Sequence, residues 1–475
     1  MEIFHIAAEC YPVAKVGGLA DVVGALPKYL RKSDHDVKVV IPYYKSISIK
    51  EKELKILYSN NVKLGSFNFP FNIHKEIYNV NGFELYLVEI PELFDRKDIY
   101  GYEDDIERFL AFQIAALDWL ITRNTVPDII HCHDHHTGLI PFMMIYSNKY
   151  QNFRNVSSVI TIHNSIYQGE FSFDKLHYLP EFDLTKVVEL EWNNRINSLA
   201  TGINSAKRVT TVSPTYLDEI TYSAFGLELL FQKVKFKSEG ILNGIDKVVW
   251  EPLTDKFIEV NYSVNNFKKG KQYNKEKLCS QFNLDPKKPL FSFIGRLLDE
   301  KGADLLPPSA AMALSENYKE INILILGSGN VEIEKQLNHL KTSFIGNYNV
   351  VIGYNEELAH LIYGGSDFLL MPSRVEPCGL NQMYALAYGT IPIVRRTGGL
   401  KDTVIDLGDD GNGICHDQAS IVDICYSIRR AVDLFKDKKK LNQIIKKGMN
   451  IDHSWENVCK EYIGVYNLII NKNES

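Results

Sequence analysis

A two-domain α/β fold with parallel sheets is predicted by three observations. Short apolar runs alternate with longer helix-compatible stretches along the whole chain. These runs lack strict alternation, as strands buried on both faces of a parallel sheet do. The texture also changes once, near the middle, where an Asn/Lys-rich stretch interrupts the pattern. At 475 residues, and roughly 100–200 residues per domain, two to four domains are expected.

In the first half the strand-like runs are residues 3–7, 37–41, 84–88, 128–132, 158–162 and 208–212. In the second they are 290–294, 321–326, 349–352, 367–371 and 391–394. Most run into turn residues and then a helical stretch, which makes βαβ units. Residues 254–277 are read as a surface segment, because 265–271 (Asn-Asn-Phe-Lys-Lys-Gly-Lys) are too polar for a core. A helix-compatible stretch at 276–282 opens the second domain, and the parting falls near residue 245. The pattern basic-x-Gly-Gly-Leu-x-Asp-x-Val occurs at 15–23 and again at 396–404. It marks either two related halves or two similar strand–helix turns.

Composition narrows the function. Hydrophobic residues make up 45% and charged residues 24%, the balance of a soluble globular protein rather than a disordered or collagen-like one. With 53 Lys+Arg against 59 Asp+Glu the net charge is −6, so neither nucleic acid nor an anionic membrane is an expected partner. The seven cysteines form no CxxC pair and read as reduced thiols of a cytoplasmic protein. No run approaches the roughly 18–20 apolar residues of a membrane span. The N-terminus lacks the basic segment of a secretory signal.

Four segments can carry chemistry. Lys15 precedes Gly17-Gly18 at a helix start, where free amides and the helix dipole attract an anion. Arg296 and Lys301 flank a loop after a buried strand, two cations placed to meet a diphosphate. His131-Cys132-His133-Asp134-His135-His136 alternates across a strand end. One or two of its imidazoles can reach a site there, but four ligands on one ion would be awkward, so no metal site is assigned. Ser373-Arg374-Val375-Glu376-Pro377-Cys378-Gly379-Leu380-Asn381 runs from a strand into a helix. Glu376 offers an acceptor there, and the amides of Cys378, Gly379 and Leu380 offer donors, the pair that sugar hydroxyls require. Asp34-His35-Asp36 lies at the wrong end of its strand for ligand binding and reads as a turn. Asp104-Asp105 suits a helix cap.

Together these motifs resemble the bacterial glycogen synthase and plant starch synthase family of retaining glucosyltransferases. The resemblance rests on Lys15-Val16-Gly17-Gly18-Leu19-Ala20-Asp21-Val22-Val23, Thr161-Ile162-His163-Asn164, Tyr167-Gln168-Gly169 and Thr210–Tyr216. Asn243-Gly244-Ile245-Asp246, Gly295-Arg296 with Lys301-Gly302, Ser373–Leu380 and Arg395–Leu400 extend it over nearly the whole chain. It implies the GT-B fold, two Rossmann-like domains with parallel sheets facing a central cleft that holds the donor. The first domain would span 1–245 and be rejoined by a C-terminal helix at 455–475; the second, 246–454, would bind the nucleotide sugar. The implied reaction moves glucose from ADP-glucose to the non-reducing end of an α-1,4-glucan such as glycogen, with retention and without cofactor or metal.

Residue by residue, the resemblance implies catalytic roles for His136, Glu376 and Asp104. Lys15, Gly17 and Gly18 would approach the donor diphosphate and the acceptor side, and Arg296 and Lys301 would neutralise the departing diphosphate. Cys378, Gly379 and Leu380 would hold the sugar, Tyr354 would stack on the base, and Asn243 would add a polar contact. Asn381 stands where the family has Thr beside the diphosphate, and its amide is expected still to donate there. Leu298-Asp299-Glu300 replaces the usual Thr-x-Gln, and Ala200-Thr201-Gly202 replaces Lys-Gly-Gly. A UDP-glucose-dependent transferase of the same fold and a non-catalytic glucan- or nucleotide-binding protein are the alternatives.

Overall fold

Most strands form from buried aliphatic runs, and a few from exposed segments beside them. In the computed structural model, which describes residues 1–45, 53–79, 81–316 and 320–470, these are β1 (Glu2–Ile6), β2 (Asp36–Pro42), β3 (Leu54–Leu64), β4 (Phe67–Glu76), β5 (Glu84–Glu89), β6 (Ile129–His133) and β7 (Ser157–Ile162). Then follow β8 (Glu170–Phe171), β9 (Glu191–Trp192), β10 (Arg195–Asn197), β11 (Arg208–Thr211) and β12 (Ser238–Gly240). After them come β13 (Leu290–Leu297), β14 (Asn322–Gly329), β15 (Tyr348–Ile352), β16 (Phe368–Met371), β17 (Ile391–Arg395) and β18 (Ile414–His416). The chain divides into one unit of Met1–Gly244 with Trp455–Ser475 and a second of Ile245–Ser454.

The first unit carries a sheet ordered β12-β11-β7-β6-β1-β2-β5-β4-β3. It is parallel from β12 to β5, but β4 runs antiparallel to both β5 and β3, so the sheet is mixed. Sequence reading missed this hairpin because most of β3 faces solvent and carries no buried apolar run. β8, β9 and β10 form a separate small antiparallel sheet. The helix Trp455–Ile470 buries Trp455, Val458, Tyr462, Val465, Tyr466 and Ile469, spaced to line one helical face. That face packs on Ile3, Val22, Leu26 and Leu30. Residues 471–475 of the expected C-terminal return lie outside the described residues.

The second unit has a six-stranded parallel sheet, β15-β14-β13-β16-β17-β18. Here the expected surface segment is corrected. The helix starts at Phe267 and runs to Phe282, with Phe267, Gly270, Lys271, Asn274 and Lys275 buried. Polarity did not exclude burial because each polar head finds a partner. Lys271 Nζ donates to the carbonyls of Tyr363, Gly364 and Tyr388 and to Thr390 Oγ1 at 2.8–3.4 Å. Lys275 Nζ pairs with Asp367 at 2.6 Å, and Asn274 exchanges hydrogen bonds with the backbone of Val260. Buried polar groups persist on this condition.

Candidate active site

In each of the two large sheets the parallel strands wind outward from one junction, where the winding direction reverses. In the second unit β13 lies between β14 and β16, so the chain winds outward on both sides of the β13/β16 junction. Ligands of open α/β sheets bind beyond the carboxyl ends of strands at such a point. The loops that leave β13 and β16 there are tied together: the Arg374 and Val375 amides donate to the Glu300 carbonyl at 2.8 and 3.1 Å. Gly302 adopts φ +67°, and a Cβ there would stand 2.3 Å from the Pro372 carbonyl oxygen. Only glycine lets the two loops approach this closely.

That approach sets the charges. Lys301 Nζ lies 2.7 Å from Glu376 Oε1, and Ser373 Oγ donates to Glu376 Oε2 at 3.0 Å. Glu376 is buried, so its carboxylate is held by one cation and one hydroxyl. Arg296, at the end of β13, is more exposed and pairs with Glu300 at 2.6 Å. Arg374 is bound by Asp304. Cys378, Gly379 and Leu380 stand directly before the helix Asn381–Ala387, and Gln382 Nε2 fixes the turn by donating to the Cys378 and Gly379 carbonyls. Asn381 Nδ2 donates to the Ile294 carbonyl at 2.7 Å, which ties the helix start to β13. Tyr354, just past β15, is 75% exposed and its hydroxyl donates to Glu356.

In the first unit the reversal lies between β1 and β6. The loop after β1 brings Lys15, Gly17 and Gly18 to the start of the helix Gly18–Lys32. Lys15 Nζ pairs with Asp21 at 2.7 Å and lies over the Tyr11 ring. A Cβ added at Gly17 or Gly18 would meet nothing within 4 Å. These glycines therefore leave open space above the backbone rather than relieve a clash. The echo at 396–404 has a different physical cause: a Cβ at Gly398 or Gly399 would strike the Glu376 or Cys378 carbonyl oxygen at 2.1 Å. It also follows β17, not the first strand of its sheet, so the two copies are similar turns and do not occupy equivalent places.

β6 delivers the histidines. His131 and His133 are packed: His133 bonds His5 and His163 at 3.0 Å each, and His131 bonds Tyr466 and Thr161. Burial holds all four imidazoles far below their usual pKa, His5 and His163 at about 3. His136 lies in the turn beyond, its ring boxed by Tyr100 at 4.8 Å and Phe109 at 4.5 Å between centroids. Burial, with His135 and Arg108 nearby, keeps it neutral. Among the described residues its Nδ1 has no partner, and neither does Asn243 Oδ1; both are buried atoms that a ligand hydroxyl could satisfy. Asp104 does not cap its helix with its side chain. Arg96 grips both its oxygens at 2.5 and 2.6 Å and holds the carboxyl below its ordinary range.

Sequence reasoning missed Glu9, Arg96 and Asp134. Glu9 had a signal, a lone carboxylate within the apolar run Ala7-Ala8-Glu9-Cys10; Arg96 had none. Asp134 sits at φ 56°, ψ −172°, a strained conformation for a residue with a side chain. Its Oδ1 accepts the His163 amide at 2.7 Å. Burial pushes its carboxyl up to about 7, against the amides of His163 and Asn164 that oppose the shift. A carboxyl raised in the folded state stabilises at low pH, and that contribution is lost as pH rises from about 4 towards 7. The loss amounts to up to about 4 kcal/mol. Urea unfolding at pH 5 and pH 8 is expected to show Asp134→Asn losing less stability with rising pH than the wild type; parallel pH profiles would refute the assignment.

Among the described residues no helix is long and apolar enough to cross a membrane. Residues 2–233 match the family described as starch synthase catalytic domain, and residues 274–450 match glycosyl transferases group 1. The chain is 68% identical over 470 residues to a glycogen synthase of Flavobacterium johnsoniae, covering 99% of both chains. It is 38% identical to a glycogen synthase of Bacillus cereus, over 99% of this chain and 100% of that one. The structure matches the catalytic domain of starch synthase IV from Arabidopsis thaliana bound to ADP and acarbose, with TM-score 0.90, 32% identity and 99% of both chains covered. A sucrose-phosphate synthase from Thermosynechococcus elongatus, at TM-score 0.62 and 16% identity, shares the fold alone. The chain has the GT-B fold and is a glycosyltransferase that belongs to the glycogen synthase and starch synthase family.

Proposed function

We propose that this enzyme transfers glucose from ADP-glucose to the non-reducing end of an α-1,4-glucan, with retention of configuration. The reading rests chiefly on the Lys301–Glu376 pair at the β13/β16 junction, and the ADP on the Arabidopsis relative supports the choice of nucleotide. The second unit binds the donor, with Tyr354 against the base and the Cys378–Leu380 amides against the sugar. The first unit supplies the acceptor side, with Lys15, Gly17, Gly18, Asn243, Asp104 and His136. Seven free, buried cysteines suit a reducing cytoplasm.

Breaking the bond between glucose C1 and the diphosphate oxygen leaves negative charge on phosphate and positive charge on the sugar ring. Lys301 and Arg296 stabilise the first. As the diphosphate draws Lys301 away, the Glu376 carboxylate is freed to accept hydroxyl hydrogens of the sugar. Neutral His136 hydrogen-bonds the transferred glucose. The acceptor hydroxyl attacks from the leaving-group side and its proton passes to the departing phosphate, so configuration is retained without a carboxylate nucleophile.

The test is turnover on a glycogen primer with ADP-glucose and UDP-glucose side by side. ADP-glucose is expected to be the better donor by at least tenfold in kcat/KM, and Lys15→Ala, His136→Ala and Glu376→Ala are expected to abolish incorporation while remaining folded. Preference for UDP-glucose would overturn the donor assignment, and active alanine variants would overturn the site.

A further inference from the structure

Glu9 follows β1 and is 3% exposed, yet among the described residues its hydrogen bonds include no cationic partner. Its Oε2 accepts the backbone amides of Val16 and Gly17 at 2.5 and 2.9 Å. Its Oε1 accepts the Tyr100 hydroxyl at 2.7 Å. The Tyr100 ring in turn stacks on His136, 26° from parallel. One side chain therefore touches the backbone between Lys15 and Gly18 and, through one tyrosine, the imidazole that comes from the other side of the β1/β6 junction.

We propose that Glu9 is a positioning residue that couples the Lys15–Gly18 loop to the ring of His136, so that loop and imidazole reach their working geometry together. The inference rests on the assignment of that loop and of His136 to the transfer site. Its physical basis is that a buried carboxylate must be satisfied. The observed loop conformation supplies both amides, and Tyr100 supplies the third donor. Tyr44, Tyr100, Asp21 and Asp134 are the titratable groups around it. Lys15, on the same loop, is paired with Asp21, and burial raises the Glu9 carboxyl against the hydrogen bonds of Tyr100, Val16 and Gly17. Protonation would remove an acceptor from the loop.

The experiment is a double-mutant cycle of Glu9→Gln and Tyr100→Phe, with kcat and KM for both substrates and a kcat pH profile for each variant. Glutamine keeps one acceptor oxygen but cannot accept from the amides and from the tyrosine together; phenylalanine keeps the ring and loses only the hydroxyl. Each single variant is expected to lose roughly 10–100-fold in kcat, the scale of a misplaced reacting group, with thermal unfolding little changed. The double variant is expected to be no worse than the poorer single one. The acid limb of the wild-type profile is expected to be absent in Glu9→Gln, a change that a purely structural role would not produce. Wild-type kcat in either variant, or losses that multiply in the double variant, would overturn the coupling. If Glu9→Gln does not fold, the kcat and pH profile of Tyr100→Phe decide alone. Activity in Lys15→Ala and His136→Ala would instead show that the site assignment has failed.

Discussion

Lys301→Ala is expected to lower kcat by roughly a hundred- to a thousandfold, the cost of losing one charge-stabilising donor from a transition state. In the unliganded chain Lys301 neutralises Glu376. Its removal therefore withdraws the cation expected at the departing diphosphate and also leaves a buried carboxylate with only the Ser373 hydroxyl. Lys301→Arg keeps the charge but not the compact ammonium, and is expected to recover part of the activity. ADP release in the presence of glycogen measures the effect. A loss below threefold, or one confined to KM, would show that Lys301 binds the donor without stabilising its breakdown.

Arg108→Met is expected to destabilise the first unit by about 3–5 kcal/mol, because it removes a fully buried guanidinium and leaves its partners unpaired. The Arg108 side chain is 0% exposed. Its guanidinium donates to the Leu93 and Ile99 carbonyls at 2.8 and 3.0 Å and to Asp105. The rings of Phe94, Tyr102 and Phe109 surround it at 4.7–5.4 Å. Methionine fills much of the volume but supplies no donor, so two buried carbonyls lose their partner. Because Phe109 also walls His136, activity should fall even below the melting temperature. Urea unfolding checks the stability, and a shift under 1 kcal/mol would contradict the network's importance.

Much of the fold was legible because a parallel sheet writes itself locally. The run at 290–294 is apolar since β13 is covered on both faces, with Leu290 and Phe291 fully buried. Where burial was partial or polar, that signal vanished. β3 exposes most of its side chains, and the helix Phe267–Phe282 buries two lysines and an asparagine, so one was overlooked and the other was placed at the surface. The candidate site was legible as motifs, since Lys15, His136, Lys301 and Glu376 each lie at a strand's carboxyl end. The backbone contacts of Asn381 and of the second Gly-Gly pair were not, because each involves a backbone that lies elsewhere in the chain.

The sequence by itself determined most of the buried parallel strands, the two-part organisation and the residue types at each loop, because these follow from burial and turn chemistry within a few neighbours. Only the tertiary structure decided who pairs with whom. Lys301 meets Glu376 across 75 positions, and Glu9 meets Tyr100 across 91. Neither pairing is written in local sequence. The first follows from strand order, which sets the loops after β13 and β16 side by side; the second sets the loop after β1 against the segment between β5 and the helix Asp105–Leu120.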